Sequence, residues 1–181
     1  EKMQKVLDSN PKVGLVASKR KFIINKEKNT ETDKWLATYG DLQMDFKNKK
    51  DDVLITKFLF KIKNFTKAPK NKIGEPSVVM FRKSLVNEIG YFDEKLKQIL
   101  DYEYWYRILK KHHIYIIGEP LVKFRLHDLQ ATSINARTLI NDYKLYPKIL
   151  YKNYFWLVNS KIRKELFFKY NAFGKFFKKL K

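Results

Sequence analysis

The amino-acid sequence predicts an α/β fold, because segments with helical spacing alternate with short apolar runs typical of buried strands. Hydrophobic residues make up 44% of the 181 residues and aromatic residues 15%, which is enough to fill a substantial core. The sequence shows no internal repeat at a solenoid period, and this argues against a repeat protein. The length suits one domain, or one domain followed by a tail.

The first third of the chain predicts one helix and one strand, followed by segments with weaker signals. Residues 1–9 have helical spacing and predict a helix, and residues 13–17 predict a short buried strand. Residues 19–33 are polar and charged, and the region around Asn29 and Thr30 is predicted to be a loop or a hairpin tip. Residues 35–46 mix aromatic and polar residues, and their pattern does not decide between helix and strand. Residues 53–65 predict a helix that turns into a strand.

The middle of the chain carries stronger turn signals. Residues 67–72 form a basic, proline-containing linker, residues 73–76 predict a turn, and residues 77–81 predict an apolar strand. Residues 82–89 predict a short helix that ends at Gly90, because glycine readily adopts the conformation that closes a helix. Asp93 is then predicted to cap one further helical turn.

Residues 101–112 have the clearest helical pattern, with lysines at the carboxyl-terminal end, where the helix dipole favours cations. The predicted apolar face of this helix consists of Trp105, Ile108 and Leu109. Residues 114–117 and 121–125 predict two strands separated by a turn at residues 118–120. From residue 136 onward, tyrosine, phenylalanine and lysine dominate, which predicts a basic aromatic helical extension.

The net charge of +20, from 39 lysines and arginines against 19 acidic residues, predicts a polyanionic partner. Nucleic acid, an anionic membrane surface and phosphorylated substrates all fit this charge. The sequence contains no cysteine, which excludes a disulfide framework, a zinc-thiolate site and a thiol nucleophile. No apolar run reaches the ~18 residues of a membrane-spanning helix, and no secretory signal is visible.

Asp101 and His127 are the two side chains that the sequence singles out for chemistry. Asp101 opens a helix, so it is either the N-cap or a general base that takes a proton from a hydroxyl. His127 follows a predicted strand, and ligands in α/β folds gather at the carboxyl ends of strands. Its imidazole is either a metal ligand or an ordinary surface histidine. The sequence contains no Walker-type loop, no G-x-G-x-x-G and no G-x-S-x-G pattern.

The carboxyl-terminal segment of residues 161–181 contains eight lysines and arginines against a single acidic residue, Glu165. At helical spacing, one face of this segment carries apolar side chains, namely Ile162, Leu166, Phe173, Phe177 and Leu180. A basic amphipathic helix with phenylalanine anchors predicts contact with an anionic membrane surface. The alternative is a helix that packs on its own domain and exposes a solvated basic rim.

A series of short motifs occurs in a fixed order between residues 73 and 133. The motifs are Ile73-Gly74-Glu75-Pro76-Ser77, Phe81-Arg82-Lys83, Ile89-Gly90-Tyr91-Phe92-Asp93-Glu94-Lys95-Leu96, Leu100-Asp101-Tyr102-Glu103-Tyr104-Trp105-Tyr106-Arg107-Ile108, Glu119-Pro120-Leu121 and Arg125-Leu126-His127-Asp128-Leu129-Gln130-Ala131-Thr132-Ser133. This succession resembles the second half of family 2 glycosyltransferases with the GT-A fold. The opening helix, Asn10-Pro11 and the first strand resemble the segment after that family's metal-binding D-x-D motif.

The resemblance covers residues 1–135 and implies a partial GT-A fold, a mixed sheet with flanking helices. Residues 136–181 would follow it as an extension of basic amphipathic helices. The resemblance further implies an inverting transfer, in which Asp101 deprotonates an acceptor hydroxyl that attacks the anomeric carbon of a nucleotide sugar. It implies that His127 completes the shell of a divalent metal, Mg²⁺ or Mn²⁺, held mainly by the D-x-D carboxylates. Substrate-binding roles are implied for Glu75, Pro76, Ser77, Trp105, Arg107, Arg125 and Gln130, with Trp105 mainly a core residue.

Two departures from the family pattern are visible in this sequence. Leu100 stands where many members carry an acidic residue before the base, and the D-x-D half is not present in these residues. The chain is therefore expected to be a fragment that is inactive alone.

The partners implied are a UDP-linked sugar donor, a glycan or lipid-linked acceptor of surface polysaccharide synthesis, and an anionic membrane surface bound through residues 161–181. That setting implies a peripheral protein on the inner face of the cell membrane. The alternatives are a non-catalytic membrane-associated remnant and a basic nucleic-acid-binding module.

Overall fold

A four-stranded mixed sheet forms the centre of the fold, with helices packed around it. The computed structural model describes most of the chain, namely residues 1–24, 30–44, 46, 51–127, 134 and 142–179. The strands of the sheet are β1 Val13–Ile24, β2 Val53–Ile55, β3 Val79–Phe81 and β4 His113–Leu126. Their order in the sheet is β2-β4-β1-β3, with β1 and β4 parallel and each outer strand antiparallel to its neighbour. The predicted α/β class is confirmed.

Eight α-helices occur within the described residues. They are α1 Lys2–Ser9, α2 Thr30–Tyr39, α3 Lys63–Thr66, α4 Leu85–Ile89, α5 Leu100–Lys111, α6 Tyr146–Tyr154, α7 Ser160–Tyr170 and α8 Ala172–Lys179. Short 3₁₀ helices cover Lys57–Lys61, Pro76–Val78 and Asp142–Leu145. Within the part of the chain that the structure describes, none of these helices has the length and apolar character needed to cross a membrane.

The two central strands are much longer than the sequence predicts. β4 runs through residues 118–120, where the sequence predicts a turn, because irregular register between Ser18 and Arg20 of β1 absorbs the extra residues. Asp52 supports this irregular stretch, since its Oδ1 accepts a hydrogen bond of 2.9 Å from the Gly118 amide. β1 likewise continues to Ile24, beyond the predicted end at residue 17. Of the predicted loop, Asn29 lies outside the described residues and Thr30 begins α2.

Three other predictions differ in detail. Residues 53–65 form strand first and helix afterwards, the reverse of the predicted order, because Phe60 and Phe65 turn into the core. The strand predicted at residues 77–81 is confined to β3, since a 3₁₀ turn precedes it. Asp93 caps a turn and no helix, with its Oδ1 accepting a hydrogen bond of 3.1 Å from the Lys95 amide.

Helices α1, α4 and α5 confirm the sequence predictions. α4 ends at Gly90, whose φ of +86° lies in the left-handed region that glycine tolerates. α5 buries its predicted apolar face, formed by Trp105, Ile108 and Leu109, in the main core. The core therefore lies between α5 and the sheet.

Helices α6 and α7 extend this same core. They contribute buried side chains to the cluster that holds α5, namely Tyr146, Leu150, Tyr154, Ile162 and Leu166. The predicted boundary between residues 135 and 136 lies outside the described residues.

The carboxyl-terminal segment forms two helices instead of one. Asn171 is extended, with φ −78° and ψ 141°, and its Oδ1 accepts a hydrogen bond of 2.9 Å from the Phe173 amide at the start of α8. The predicted apolar stripe is therefore split, since Ile162 and Leu166 are buried whereas Phe173 is exposed. The prediction of one continuous helical face is wrong, and Leu180, its last member, lies outside the described residues.

Candidate active site

A cleft of ≈ 440 Å³ lies beside the carboxyl ends of the two parallel strands. Phe124, near the end of β4, forms part of its wall and pairs in register with Phe22 of β1. Trp35 of α2 and Asp101 of α5 also line the cleft. Ligands in open α/β sheets bind beyond the carboxyl ends of strands, so this is the place where chemistry is expected.

Asp101 lies in the first turn of α5 with its carboxylate at the cleft. The N-cap position belongs to Ile99, so Asp101 is not the N-cap of this helix. Its Oδ1 accepts a hydrogen bond of 2.7 Å from the Tyr102 amide, and its Oδ2 accepts one of 2.7 Å from Asn71 Nδ2. Each carboxylate oxygen has a second lone pair, which leaves acceptor capacity for an incoming hydroxyl.

Burial raises the pKa of Asp101 from its usual 3.8 to about 6. Hydrogen bonds from the Tyr102 amide and from Asn71 oppose this rise, and the nearby charge of Asp142 adds to it. At neutral pH the carboxylate is therefore ionised, yet it is a stronger base than an exposed aspartate. A pKa of this size suits proton removal from a hydroxyl.

Asn71 holds Asp101 and the loop opposite it in one arrangement. Its Oδ1 accepts hydrogen bonds from the amides of Ile73 at 2.9 Å and Gly74 at 3.0 Å. Its Nδ2 donates to the Gly74 carbonyl at 2.9 Å as well as to Asp101. Sequence reasoning placed Asn71 in a linker and missed this role, although an asparagine side chain that accepts from the amide two residues later is a known turn signal.

Trp105 lies behind the cleft, in the core. Its indole Nε1 donates a hydrogen bond of 2.9 Å to the Gly74 carbonyl. A Cβ at position 74 would lie 2.8 Å from Val78 Cγ2, so a larger residue here would require Val78 or the loop to shift. Trp105 therefore supports the loop before Glu75 without contacting the cleft directly.

Glu75, Pro76 and Ser77 line the cleft, as their assignment as binding residues requires. Arg20 forms an ion pair with the Glu75 carboxylate from a nearly buried position. Its guanidinium lies 5.0 Å from the ring of Phe22 and 4.8 Å from that of Phe124.

Burial lowers the pKa of Arg20 to about 10, and the charge of Asp41 opposes this. Sequence reasoning missed Arg20, because it lies in a polar, charged stretch without a motif and its partner is far along the chain.

Asp142 supports the wall of the cleft next to Asp101. Its Oδ2 accepts hydrogen bonds from the amides of Lys97 at 2.6 Å and Gln98 at 3.0 Å, and both of these residues line the cleft. With Lys70, Lys97 places a second cationic side chain along the cleft. Sequence reasoning missed Asp142, which has no local motif.

Arg107 lies away from the cleft and supports a surface loop. Its Nε donates a hydrogen bond of 3.1 Å to Glu103, and its other nitrogens donate to the carbonyls of Ile89 at 3.0 Å and Tyr91 at 2.8 Å. These contacts agree with the predicted pairing of Arg107 with a carboxylate. They do not bring Arg107 to the cleft, so its predicted substrate contact has no geometric support.

Arg125 lies near the end of β4 and His127 directly follows the strand, and both side chains are exposed. Neither is among the described residues that line the cleft. Gln130 lies outside the described residues. Within the described ranges, no three His, Asp or Glu side chains are grouped so that they could hold a metal ion.

Sequence comparison relates parts of this chain to proteins named as glycosyltransferases. An uncharacterized glycosyltransferase of Rickettsia typhi is 37% identical over 65 residues, which cover 36% of this chain and 19% of that protein. One from Rickettsia prowazekii has the same identity and coverage. An uncharacterized protein of Mycobacterium tuberculosis is 25% identical over 116 residues, which cover 62% of this chain and 33% of its own.

These partial matches suggest a glycosyltransferase. The chain spans about a fifth of the length of the Rickettsia relatives it matches. No protein-family model matches the chain, and no solved structure matches it significantly.

Proposed function

We propose that this chain is the acceptor side of an inverting glycosyltransferase of the GT-A type, with Asp101 as the catalytic base. The observation that carries the proposal is the Asp101 carboxylate in the cleft, held by Asn71 and with its pKa raised to about 6. The Rickettsia relatives named as glycosyltransferases support the same class of reaction.

In the proposed step, an acceptor hydroxyl binds beside Asp101. Asp101 takes the hydroxyl proton while the oxygen forms a bond to the anomeric carbon of the donor sugar. The bond from that carbon to the nucleotide diphosphate breaks, and the diphosphate leaves with the electron pair. Attack opposite the leaving group inverts the configuration at the anomeric carbon.

The remaining lining residues fit sugar and phosphate recognition. Glu75, fixed by Arg20, offers a carboxylate oxygen that can accept hydrogen bonds from sugar hydroxyls. Ser77 offers a hydroxyl, and Pro76 shapes the wall between them. Lys70 and Lys97 favour an anionic ligand in the cleft.

A divalent metal, Mg²⁺ or Mn²⁺, would supply Lewis-acid stabilisation of the leaving diphosphate if one were bound. His127, the assigned ligand, is exposed and is not grouped with other metal-binding side chains within the described residues. These residues do not fit a complete metal site, so no step above passes through the metal.

The proposal extends to the substrates and the setting. The donor is a UDP-linked sugar, and the acceptor is a glycan or a lipid-linked precursor of surface polysaccharide. Both are expected at the inner face of the cell membrane. Arg125 near the end of β4 and Gln130 in the sequence after it remain candidates for donor contact.

Asp101→Asn in the full-length protein tests the proposal. We expect nucleotide-sugar turnover to fall by about 10²- to 10⁴-fold, the usual contribution of a general base. Asp93→Asn is the matched control, because Asp93 is an exposed carboxylate on a turn outside the cleft. Undiminished transfer by Asp101→Asn would remove the base assignment, and absence of transfer by the wild type with every nucleotide sugar would remove the function.

A further inference from the structure

Helix α8 exposes three large aromatic side chains. Phe173 is 72% exposed, Phe176 60% and Phe177 56%. α8 has eight residues, and Lys175 lies between these phenylalanines in the sequence. Exposed apolar groups this close together on one short helix mark an interaction surface more often than a solvated one.

Helix α8 is held against α7 and does not project freely. Asn171 caps it through the Phe173 amide, and a Cβ at Gly174 would lie 2.4 Å from the Phe167 carbonyl oxygen. This close approach requires glycine and fixes the angle between the two helices. The exposed phenylalanines are therefore presented in a defined orientation.

An aromatic groove of ≈ 1020 Å³ runs between α6 and α7 and reaches Asn171, where α8 begins. Trp156 on its wall is 76% exposed, and the guanidinium of Arg163 lies 5.6 Å from its ring. Cationic side chains accompany the aromatic ones along the groove, namely Lys110, Lys152, Arg163 and Lys164. No acidic residue is among the described residues that line it.

We propose that this region docks the protein onto an anionic lipid bilayer. The docking face consists of the exposed side chains Lys152, Trp156 and Lys164 of the groove and Phe173, Phe176 and Phe177 of α8. Its aromatic rings enter the boundary between headgroups and acyl chains, and its cations contact lipid phosphates. Charge favours this occupant, because residues 142–181 carry eleven lysines and arginines against two acidic residues.

The docking face differs from the stripe that the sequence predicted over residues 161–181. Ile162 and Leu166 pack in the core and cannot reach lipid, whereas Trp156 lies before that segment and is exposed. Binding to vesicles needs no sugar transfer, so this proposal stands or falls separately from the proposed function.

Vesicle co-sedimentation of the full chain tests the docking face. The probes are vesicles of phosphatidylcholine alone and of phosphatidylcholine mixed with phosphatidylglycerol. We expect binding to the anionic vesicles, weaker binding to the neutral ones, and release by high salt. Phe173→Ser with Phe177→Ser is expected to weaken anionic binding by at least about tenfold, since two aromatic rings would no longer enter the bilayer.

Two further variants keep the result interpretable. Phe58→Ser removes another exposed phenylalanine, one with Lys61 Nζ 5.7 Å from its ring, and is expected to bind like the wild type. Lys152→Gln with Lys164→Gln removes two exposed cations of the groove without touching α8 and is expected to weaken anionic binding selectively. Circular dichroism checks that each variant folds.

The contrary results are equally specific. Equal binding to neutral and anionic vesicles, or no loss in the variant lacking Phe173 and Phe177, would overturn the docking face. Binding of a single-stranded oligonucleotide without binding of anionic vesicles would also overturn the proposal, and would indicate that the basic residues bind nucleic acid. A dimer in solution that the same double variant disperses would make the face a contact between copies.

Discussion

Replacing Asp101 with asparagine is expected to stabilise the folded chain at neutral pH. The pKa of Asp101 is raised from 3.8 to about 6, so ionising it costs more in the folded state than in the unfolded state. This difference corresponds to at most about 3 kcal/mol. The asparagine side chain of the variant is uncharged at every pH and would escape that cost.

The pH window follows from the direction of this shift. Below about pH 4 the carboxyl is protonated in both states, and its contribution to stability is fully present. Between about pH 4 and 6 only the unfolded state loses the proton, so wild-type stability falls with rising pH. Above about pH 7 both states are ionised and the loss is complete. The unfolding free energy of Asp101→Asn, relative to that of the wild type, therefore rises across this window and then stays constant.

Urea unfolding at a series of pH values measures this effect. The informative quantity is the difference in unfolding free energy between the variant and the wild type, because other titrating groups cancel in it. Asp8→Asn removes an exposed carboxylate on α1 and controls for the loss of one negative charge. A difference for Asp101→Asn that does not change with pH, or that falls as pH rises, would refute the reasoning.

Two further predictions concern the loop that faces Asp101. Asn71→Ala removes a hydrogen bond that lowers the pKa of Asp101, so the acid limb of the turnover profile is expected to move to higher pH; an unmoved limb would contradict this. Gly74→Ala forces a Cβ against Val78, which lies 2.8 Å away, and is expected to cost about 1–3 kcal/mol in thermal unfolding. An unchanged melting temperature would contradict this prediction, because the loop would then accept the added Cβ at no cost in stability.

The sequence predicts the local elements well where one signal dominates. α5 has a strong helical period, and the end of α4 at Gly90 needs only the known preference of glycine. The place of Asp101 at the start of α5 singles it out in the sequence, and the structure places it in the cleft. Its role as a base stays a prediction.

The misses arise where distant residues decide the structure. β1 continues through Lys19 and Lys21 because β4 pairs with it along its whole length, and polar composition alone favours a loop. Arg20 is held by Glu75, 55 residues later in the sequence, so no local pattern reveals the pair.

The predicted apolar stripe over residues 161–181 is wrong for a different reason. Helical spacing assumes an unbroken helix, and the extended backbone at Asn171 ends α7 before Phe173. The capping side chain of Asn171 was a readable signal of this break.

The central claim is that Asp101 acts as the base of a sugar transfer, and the pH dependence of kcat/KM tests it most directly. For the wild-type full-length protein, kcat/KM reports the pKa of the free enzyme's base, so an acid limb near pH 6 is expected. In Asp101→Asn this limb is expected to vanish together with most of the activity. An acid limb that persists at the same pH in Asp101→Asn would contradict the account.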